Sequence, residues 1–288
     1  MNMENRKRIR RINTKRITAT VKKLFIEANT ALGDDMVSAL HCSLQKEESP
    51  IGKQVLEKII QNADIACRTA MPICQDTGLA VLFVEMGQDV RIVGGDLRAA
   101  IEEGVRQAYE DGYLRKSLCD PLTRTNTGNN TPAVIHMDIV PGDQLRIIAM
   151  PKGGGSENCS AAKMLTPAAG IEGIKKFVLE TVENAGANPC PPIIVGIGIG
   201  GSLEQACILA KKALLRLVGK TNPSDDRLAQ MEKELYTRIN ELGIGPAGLG
   251  GKVTTLAVHA EMMPCHIASL PVAVNIQCHV ARHQEETL

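Results

Sequence analysis

The sequence predicts an α+β fold in which N-terminal helices are followed by a mixed β-sheet with surrounding helices. Three observations support this prediction. Apolar residues recur at helical spacing through the first 70 residues, as in "TATVKKLFIEANTAL". Short apolar runs bounded by turn-forming residues follow residue 78 and are typical of strands. These runs do not alternate cleanly with helices along the chain, which favours a mixed α+β domain.

The predicted helices have identifiable starting residues. In "ESPIGKQVLEKIIQNADIACRT", Ser49 fits an N-cap and Pro50 fits the first helical position. Asp96 fits the N-cap of a helix within 94–114. Cys42 and Cys67 lie on or beside apolar stripes of the N-terminal helices, which predicts that both pack in the core.

The predicted strands come later in the chain. "LAVLFVEMG" at 79–87 is an apolar run suited to a buried strand. The runs on either side of "PGDQ" at 141–144 predict a β-hairpin. "VTTLAVHAE" and "LPVAVNIQ" predict two further strands near the C-terminus.

Length and composition allow a well-packed core. The 288 residues are 44% hydrophobic, and no internal repeat or low-complexity linker divides them. We therefore expect a single domain over residues 1–288. The first residues, about 1–16, are basic and predict a solvated tail or the first turns of a helix.

Charge and composition exclude several classes of function. A net charge of +1 and an aromatic content of 2% argue against a nucleic-acid binder. The basic N-terminus has no apolar segment of the kind found in secretory signals. No stretch reaches the roughly 18 apolar residues that a membrane span requires. We therefore expect a cytoplasmic protein without nucleic-acid or membrane partners.

Nine cysteines at irregular spacing do not predict a disulfide framework. Three of them occur in polar, mostly proline-marked loops: Cys74 in "MPICQDTG", Cys190 in "NPCPP" and Cys278 in "NIQCHVARH". Thiolates on a rigid backbone are suitable ligands for a soft cluster metal. Spacing alone cannot select these three, since Cys119, Cys159 and Cys265 also lie in or near loops.

Two glycine-rich motifs raise the question of anion binding. "GIGIGG" contains the G-x-G-x-x-G pattern between a strand and a helix, but no strand ending in an acidic residue follows, so nucleotide binding is disfavoured. "KGGGS" at 152–156 fits either a tight turn or a cradle for a carboxylate or phosphate. The pattern leaves both alternatives open. For the four histidines of the last 30 residues, structural or surface roles are favoured over metal binding.

Several long motifs in a fixed order resemble the α subunit, or N-terminal domain, of the iron–sulfur hydro-lyases. This family includes class I fumarate hydratases and L-tartrate dehydratase. The resemblance extends over roughly residues 15–285. The motifs that carry it are "PICQDTG", "NTGNNTPAVIH", "PKGGGSEN", "CPPIIVGIGIGGS", "LGIGPAGLGGK" and "ASLPVAVNIQCHVARH".

The resemblance implies a [4Fe–4S] cluster held by Cys74, Cys190 and Cys278, with one iron lacking a protein ligand. Cys265, in "MMPCHIASLP", is a rival for the third position. Cys278 is preferred because the family's ligand follows the last apolar strand and precedes a short basic stretch. In such a site the open iron acts as a Lewis acid on the substrate.

The resemblance also implies roles for residues around the cluster. Gln75 would donate a hydrogen bond to substrate, and Asp76 would act in acid–base catalysis. Arg115 would bind a substrate carboxylate, and the main-chain N–H groups of Gly154 and Gly155 would bind a carboxylate end. The alternative for Asp76 is a turn-forming side chain that bonds its own backbone.

The reaction implied is the reversible hydration of a C4 dicarboxylate, with fumarate and malate as the leading pair. L-Tartrate dehydratase is the alternative, and a non-catalytic iron–sulfur sensor is a weaker one. Single-chain members carry a second domain with further site residues. The resemblance therefore implies a separate β subunit, in an α2β2 assembly, that completes the site.

Overall fold

The computed structural model describes residues 9–288 of the chain. The described residues form two compact units. Unit 1 contains the residues up to Ala31, Ile65–Lys152 and Arg282–Leu288, and unit 2 contains Leu32–Asp64 and Gly153–Ala281. The mixture of helices with parallel and antiparallel strands confirms the predicted α+β class. A single domain over 1–288 stays a prediction.

The first element of unit 1 among the described residues is a short strand. Strand β1 (Arg10–Asn13) pairs in parallel with β3 (Val90–Val93), and α1 (Thr14–Thr30) follows directly. The Asn13 side chain caps α1 by accepting from the N–H of Lys15. The start of α1 at Thr14 agrees with the predicted first turns of a helix, whereas the strand before it was not predicted. Residues 1–8 lie outside the described residues.

A second helix of unit 1, α4 (Leu97–Asp111), packs against α1. Asp96 caps α4 as predicted, accepting from the N–H of Ala99 at 2.8 Å. The close approach of the helices depends on Gly104, where a Cβ would lie 2.7 Å from the Cβ of Val21. A buried apolar cluster forms beneath the two helices, and Phe25, Leu82, Ile101, Tyr109, Leu145 and Ile147 are among its members.

The sheet of unit 1 differs from the predicted hairpin. It contains β2 (Leu79–Gly87), β4 (Val134–Val140), β5 (Leu145–Lys152) and β10 (Gln284–Thr287) in the order β10-β5-β2-β4. β2 lies between β4 and β5, parallel to the first and antiparallel to the second. The hairpin prediction was wrong because the apolar β2 is buried on both faces and takes a central position.

The helices of unit 2 surround a second sheet. They are α2 (Asp34–Lys46), most of α3 (Pro50–Thr69), α5 (Gly154–Glu157), α6 (Gly170–Ala185), α7 (Leu203–Ala213) and α8 (Asp226–Glu241). As predicted, α3 begins at Pro50, and the Ser49 hydroxyl accepts from the N–H of Gly52. Short 3₁₀ turns occur at Pro167–Ala169 and Pro246–Gly248.

The sheet of unit 2 contains β6 (Ala161–Leu165), β7 (Ile193–Gly200), β8 (Thr255–Met263) and β9 (Leu270–Gln277) in the order β6-β9-β7-β8. β7 is buried along its whole length. It pairs in parallel with β8 and antiparallel with β9. The amino end of β7 therefore lies beside the carboxyl end of β9.

A buried carboxylate fixes one loop of unit 2. Glu47 is 1% exposed and accepts from the main-chain N–H groups of residues 48, 49, 252 and 253. Burial acts to raise the pKa of Glu47, but the main-chain donors outweigh it and lower the pKa below the usual value. The ionised carboxylate thus holds the chain around residue 252 against the end of α2.

Candidate functional site

The loop 71–78 of unit 1 leads from α3 into β2 and carries three predicted site residues. Cys74 and Asp76 are half-buried, and Gln75 is exposed. The N–H of Asp76 donates to the Cys74 sulfur at 3.4 Å, and the thiol donates to the Gln75 Oε1 at 3.5 Å. The carboxylate Oδ1 of Asp76 accepts from the N–H of Gly78 at 3.0 Å. Asp76 therefore makes the local turn bond expected of the alternative interpretation, and this bond orients its carboxylate within the loop.

Two buried side chains fix the end of this loop. The phenol oxygen of Tyr109, which is fully buried, lies 2.8 Å from the carbonyl oxygen of Thr77 and 2.9 Å from that of Gly78. Asn130 donates to the Gly78 carbonyl at 3.2 Å, and its Oδ1 accepts from the N–H groups of residues 117 and 118. The amide side chain of Asn130 therefore connects the loop to the segment that follows α4.

Arg282 reaches the same loop from the segment before β10. Its Nη2 donates to the carbonyl oxygen of Asp76 at 2.7 Å, and the side chain is 4% exposed. Burial raises the pKa of Tyr109; the positive charge of Arg282 opposes this rise and the negative charge of Asp76 adds to it. The phenol, the guanidinium and the carboxylate thus form one electrostatically coupled group.

Arg115, the predicted carboxylate anchor, lies beside this loop. Its carbonyl oxygen accepts from the Thr77 hydroxyl at 2.9 Å. The residue is exposed, and its guanidinium has no hydrogen bond or ion pair to another described residue. A cationic side chain in this position can bind an anion from solvent.

In unit 2, Cys190 and Cys278 lie at one end of the sheet. Cys190 precedes β7 and Cys278 follows β9, and the register pairs Ile194 with Gln277. His279 Nδ1 lies 2.9 Å from the carbonyl oxygen of Cys190, so the two loops are in contact. Cys190 has a φ of 57°, in the left-handed region that residues other than glycine rarely adopt.

The rival Cys265 lies at the opposite end of the same sheet. It follows β8, whose last residue, Met263, pairs with Gly200 at the carboxyl end of β7. The eight residues of β7 separate the two ends by about 23 Å at ~3.3 Å per residue. The Cys265 thiol instead donates to the carbonyl oxygen of Ser269 at 3.1 Å. Cys265 therefore lies at the opposite end of the sheet from Cys190 and Cys278.

The glycine loop lies at the same end of the sheet as Cys190 and Cys278. Gly154 begins the short α5, and Gly155 is exposed, with space for a Cβ at 3.6 Å from the carbonyl oxygen of Asn188. Glu157 anchors the loop through Asn275, which donates to it at 3.0 Å, and through Lys211 at 2.5 Å. Unit 2 thus brings the predicted glycines and two of the predicted cysteines to the same end of its sheet.

The "GIGIGG" motif has a packing role. A Cβ at Gly198 would lie 1.9 Å from the carbonyl oxygen of Ala206, and one at Gly196 would lie 2.1 Å from that of Ala210. The missing side chains allow α7 to lie directly on the backbone of β7. This explains the glycines without a nucleotide, in agreement with the disfavoured nucleotide hypothesis.

The remaining cysteines and histidines do not form a further site. Cys42 and Cys67, predicted in the core, are exposed, as is Cys207; helical spacing placed them near apolar stripes but on the outer side. Among the described residues, no three His, Cys, Asp or Glu side chains lie close enough to hold a metal ion. His259 is buried, which lowers its pKa to about 4, and His266 is exposed.

Sequence reasoning missed the residues that hold the 71–78 loop. By sequence, Tyr109 is one residue of a predicted helix, and Asn130 and Arg282 occur only within the motifs "NTGNNTPAVIH" and "ASLPVAVNIQCHVARH", without individual roles. Asn130 does have the φ of a turn residue, 59°, but its amide bonds to residues far away in the chain. One signal was available: a polar aromatic on the apolar stripe of α4, which needs a hydrogen-bond partner when buried.

Within residues 9–288, no helix is long and apolar enough to cross a membrane.

Comparison with known proteins gives a consistent family. Residues 18–287 match the model of the fumarate hydratase (fumerase) family. A putative L(+)-tartrate dehydratase subunit alpha from Methanocaldococcus jannaschii is 49% identical over 271 residues, covering 91% of this chain and 94% of that protein. An L(+)-tartrate dehydratase subunit alpha from Escherichia coli is 34% identical over 267 residues, covering 91% and 88%.

The family match covers nearly all described residues, and both relatives align over most of their own length. These findings confirm the resemblance inferred from the motifs. The leading substrate pair, fumarate and malate, is less well supported than the alternative, because the relatives carry the tartrate name. The chain belongs to the family of class I fumarate hydratases and L-tartrate dehydratases, and it is a hydro-lyase.

Proposed function

We propose that this chain is the α subunit of an L-tartrate dehydratase. The observation that carries the proposal is the 49% identity over 271 residues to a relative with that name, together with the 34% identity to a second one. The reaction breaks the C–O bond at one hydroxylated carbon and the C–H bond at its neighbour. Water leaves, and the enol that remains tautomerises to a 2-oxo dicarboxylate.

Fumarate hydratase is the second candidate function. The description of the family model favours it, since that description names fumarate hydratase. The two reactions share one chemistry, the removal of water from adjacent carbons of a C4 dicarboxylate. They differ in whether the carbon that loses its proton carries a hydroxyl group. Residues that contact this group therefore determine the substrate.

The proposed cofactor is a [4Fe–4S] cluster held by Cys74, Cys190 and Cys278. Thiolates are the donors that iron–sulfur clusters require. The contact of His279 with the Cys190 carbonyl and the shared sheet end support pairing Cys278, rather than Cys265, with Cys190. When bound, a cluster with three protein ligands supplies an open iron that acts as a Lewis acid.

The roles proposed for the chain's own residues follow from their exposure and contacts. Arg115 is exposed and has no partner for its guanidinium among the described residues, which suits a substrate carboxylate. The main-chain N–H groups of Gly154 and Gly155 would bind the other carboxylate. Asp76, whose carboxylate is oriented by the Gly78 N–H, would move the proton, and the exposed Gln75 amide would donate to a substrate oxygen.

The partner proposed is a β subunit. The relatives are named as subunits alpha, and an α subunit requires a second chain. The stoichiometry we propose is α2β2, with site residues from the partner completing the site. The isolated chain should then bind a cluster but turn over little substrate.

The test is a coupled assay of the anaerobically reconstituted chain with its β-type partner. L-Tartrate, D-tartrate, malate and fumarate are compared at equal concentration. We expect L-tartrate to be preferred over malate in kcat/KM by at least about 100-fold, roughly 2.7 kcal/mol of transition-state discrimination. Preference for malate and fumarate would move the assignment to fumarate hydratase. No turnover of any of the four would refute the hydro-lyase proposal for the complex.

Cysteine variants test the cofactor separately from turnover. Cys278→Ser should abolish the cluster absorbance at full chain solubility, whereas Cys265→Ser, the matched control from the other end of the sheet, should retain it. Iron and sulfide content give the second readout. Retention of the cluster in Cys278→Ser with loss in Cys265→Ser would reverse the ligand assignment.

A further inference from the structure

Arg282 is a buried cation with very few partners. It is 4% exposed, and its Nε and Nη1 atoms are buried without a hydrogen-bond partner. Among residues 9–288 it makes no ion pair, and its single hydrogen bond goes to the carbonyl oxygen of Asp76. Burial removes the guanidinium from water, and a single hydrogen bond to the protein does not compensate for the lost hydration. A contribution to stability therefore does not explain the burial of Arg282.

The position of that hydrogen bond indicates the purpose. The carbonyl oxygens of residues 76, 77 and 78 are all engaged by side chains from distant parts of unit 1. Arg282 bonds the first, Tyr109 reaches the second and third, and Asn130 bonds the third. These three side chains come from 282, 109 and 130, so no local turn preference produces the arrangement. Side chains from three separate segments therefore restrain the backbone that follows Cys74 and includes Asp76.

Asp76 connects the Arg282 bond to the chemistry of the loop. Its N–H donates to the Cys74 sulfur, so the peptide units on either side of Asp76 are bonded to Cys74 and Arg282 respectively. Loss of the hydrogen bond to the Asp76 carbonyl would allow the planar peptide unit after Asp76 to rotate, and the Asp76 side chain would move with it. Neither Nε nor Nη1 reaches the protein surface, so direct contact of these atoms with substrate is not part of the role.

We propose that Arg282 is a positioning residue that fixes the Cys74–Asp76 loop in the orientation that the proposed hydro-lyase site needs. The proposal rests on the proposed function, because it concerns the loop orientation that the proposed site needs. The ordering of the loop itself is a property of the chain without cofactor or substrate. The two can therefore fail independently. Arginine suits the task because its planar fork fixes the direction of the donated N–H, which a lysine ammonium does not.

The first experiment measures loop order in the reduced, cofactor-free chain. The rate of alkylation of each cysteine by iodoacetamide is followed by peptide mass spectrometry. Cys74 reports on the loop, and the exposed Cys42 and Cys67 are internal references. The variants are Arg282→Met, Arg282→Lys and, as matched control, Arg146→Met, which removes a surface arginine of the same unit paired with Glu85 and Glu285.

We expect alkylation of Cys74 in Arg282→Met to be about tenfold faster than in the native chain, the change that loss of about 1.4 kcal/mol of loop order produces. The reference cysteines and the Arg146→Met control should stay unchanged. If Arg282→Met does not fold, Arg282→Lys is decisive: a Cys74 rate about threefold above native supports the proposal. A native rate at Cys74 in the folded variant overturns it.

The second experiment uses the assembled enzyme and separates positioning from binding and from stability. Arg282→Lys should lower kcat while leaving KM within about twofold, because misplacement of the loop affects the reacting geometry more than affinity. In the cofactor-free chain, methylguanidine added to Arg282→Ala should slow alkylation of Cys74 and should have no effect on Arg146→Ala. A large rise in KM at unchanged kcat would make Arg282 a binding residue and would contradict the proposal.

Discussion

Asn130 offers a test of how the candidate site is held. The residue is 1% exposed and makes three hydrogen bonds: it donates to Gly78 O at 3.2 Å and accepts from the N–H groups of residues 117 and 118 at 2.8 and 3.1 Å. Its φ of 59° lies in the left-handed region, which asparagine tolerates better than alanine. Asn130→Ala therefore removes three bonds and adds backbone strain.

The expected loss follows from these contacts. One buried and two partly buried hydrogen bonds at about 1 kcal/mol each, plus roughly 1 kcal/mol for alanine in the left-handed region, give about 4 kcal/mol. The matched control is Asn126→Ala in the same segment. Asn126 is exposed and makes two hydrogen bonds that water can replace, so its loss should be about 1 kcal/mol.

The assay is urea denaturation followed by far-UV circular dichroism, because the chain has no tryptophan. Hydrogen exchange of the peptide containing 71–78 is the local readout, and exchange there should accelerate in Asn130→Ala alone. Equal losses in the two variants would refute the reasoning. So would a loss in Asn130→Ala below about 1.5 kcal/mol with unchanged exchange, since removal of three hydrogen bonds from a buried side chain should cost about 3 kcal/mol.

Three further predictions concern the framework of unit 2. The pKa of Glu47 is lower in the folded than in the unfolded chain. Its contribution to the free energy of unfolding is therefore fully present above the unfolded pKa, about 4.5, and is lost as pH falls through the folded pKa. Glu47→Gln should therefore destabilise at pH 7 by about 3 kcal/mol, and the difference from the native chain should shrink as pH falls below about 4.5 in denaturation experiments; a pH-independent difference would contradict this. Gly198→Ala should cost at least about 3 kcal/mol of unfolding free energy, because its Cβ would lie 1.9 Å from a carbonyl oxygen. Gly155→Ala, with 3.6 Å of space, should change the thermal midpoint by no more than about 2 °C, and a large decrease would show that the glycine is structurally required.

Local signals predicted much of the secondary structure. The caps at Ser49 and Asp96, the helical apolar spacing of α1 and the buried run of β2 depend on residues within one turn or one strand of each other. Their physical causes are therefore contained in short stretches of sequence. The pairing of strands is different, because it is decided by burial across the whole unit. "PGDQ" has hairpin chemistry, yet β2 comes between the strands on either side of it.

The candidate site shows the same division. Cys74, Gln75 and Asp76 could be singled out because thiol, amide and carboxylate adjoin in one polar motif. The side chains that orient them, Tyr109 and Arg282, come from a helix and from a segment more than 200 residues away from the loop. No spacing rule connects such positions. The choice of Cys278 over Cys265 came from the resemblance, and the strand register supports it with a physical argument that depends on sheet topology.

The segment 282–288 has a consequence for the order in which the protein forms. Unit 1 takes its residues from three separate stretches, and β10 and Arg282 are translated after all of unit 2. During synthesis, β5 has an unpaired edge while residues 153–281 emerge, and unpaired edges are prone to wrong pairing. The loop with Cys74 acquires its arginine in the same event that closes this edge. A ribosome-bound chain halted before residue 282 would therefore present the Cys74 thiol on a loop that lacks the hydrogen bond from Arg282.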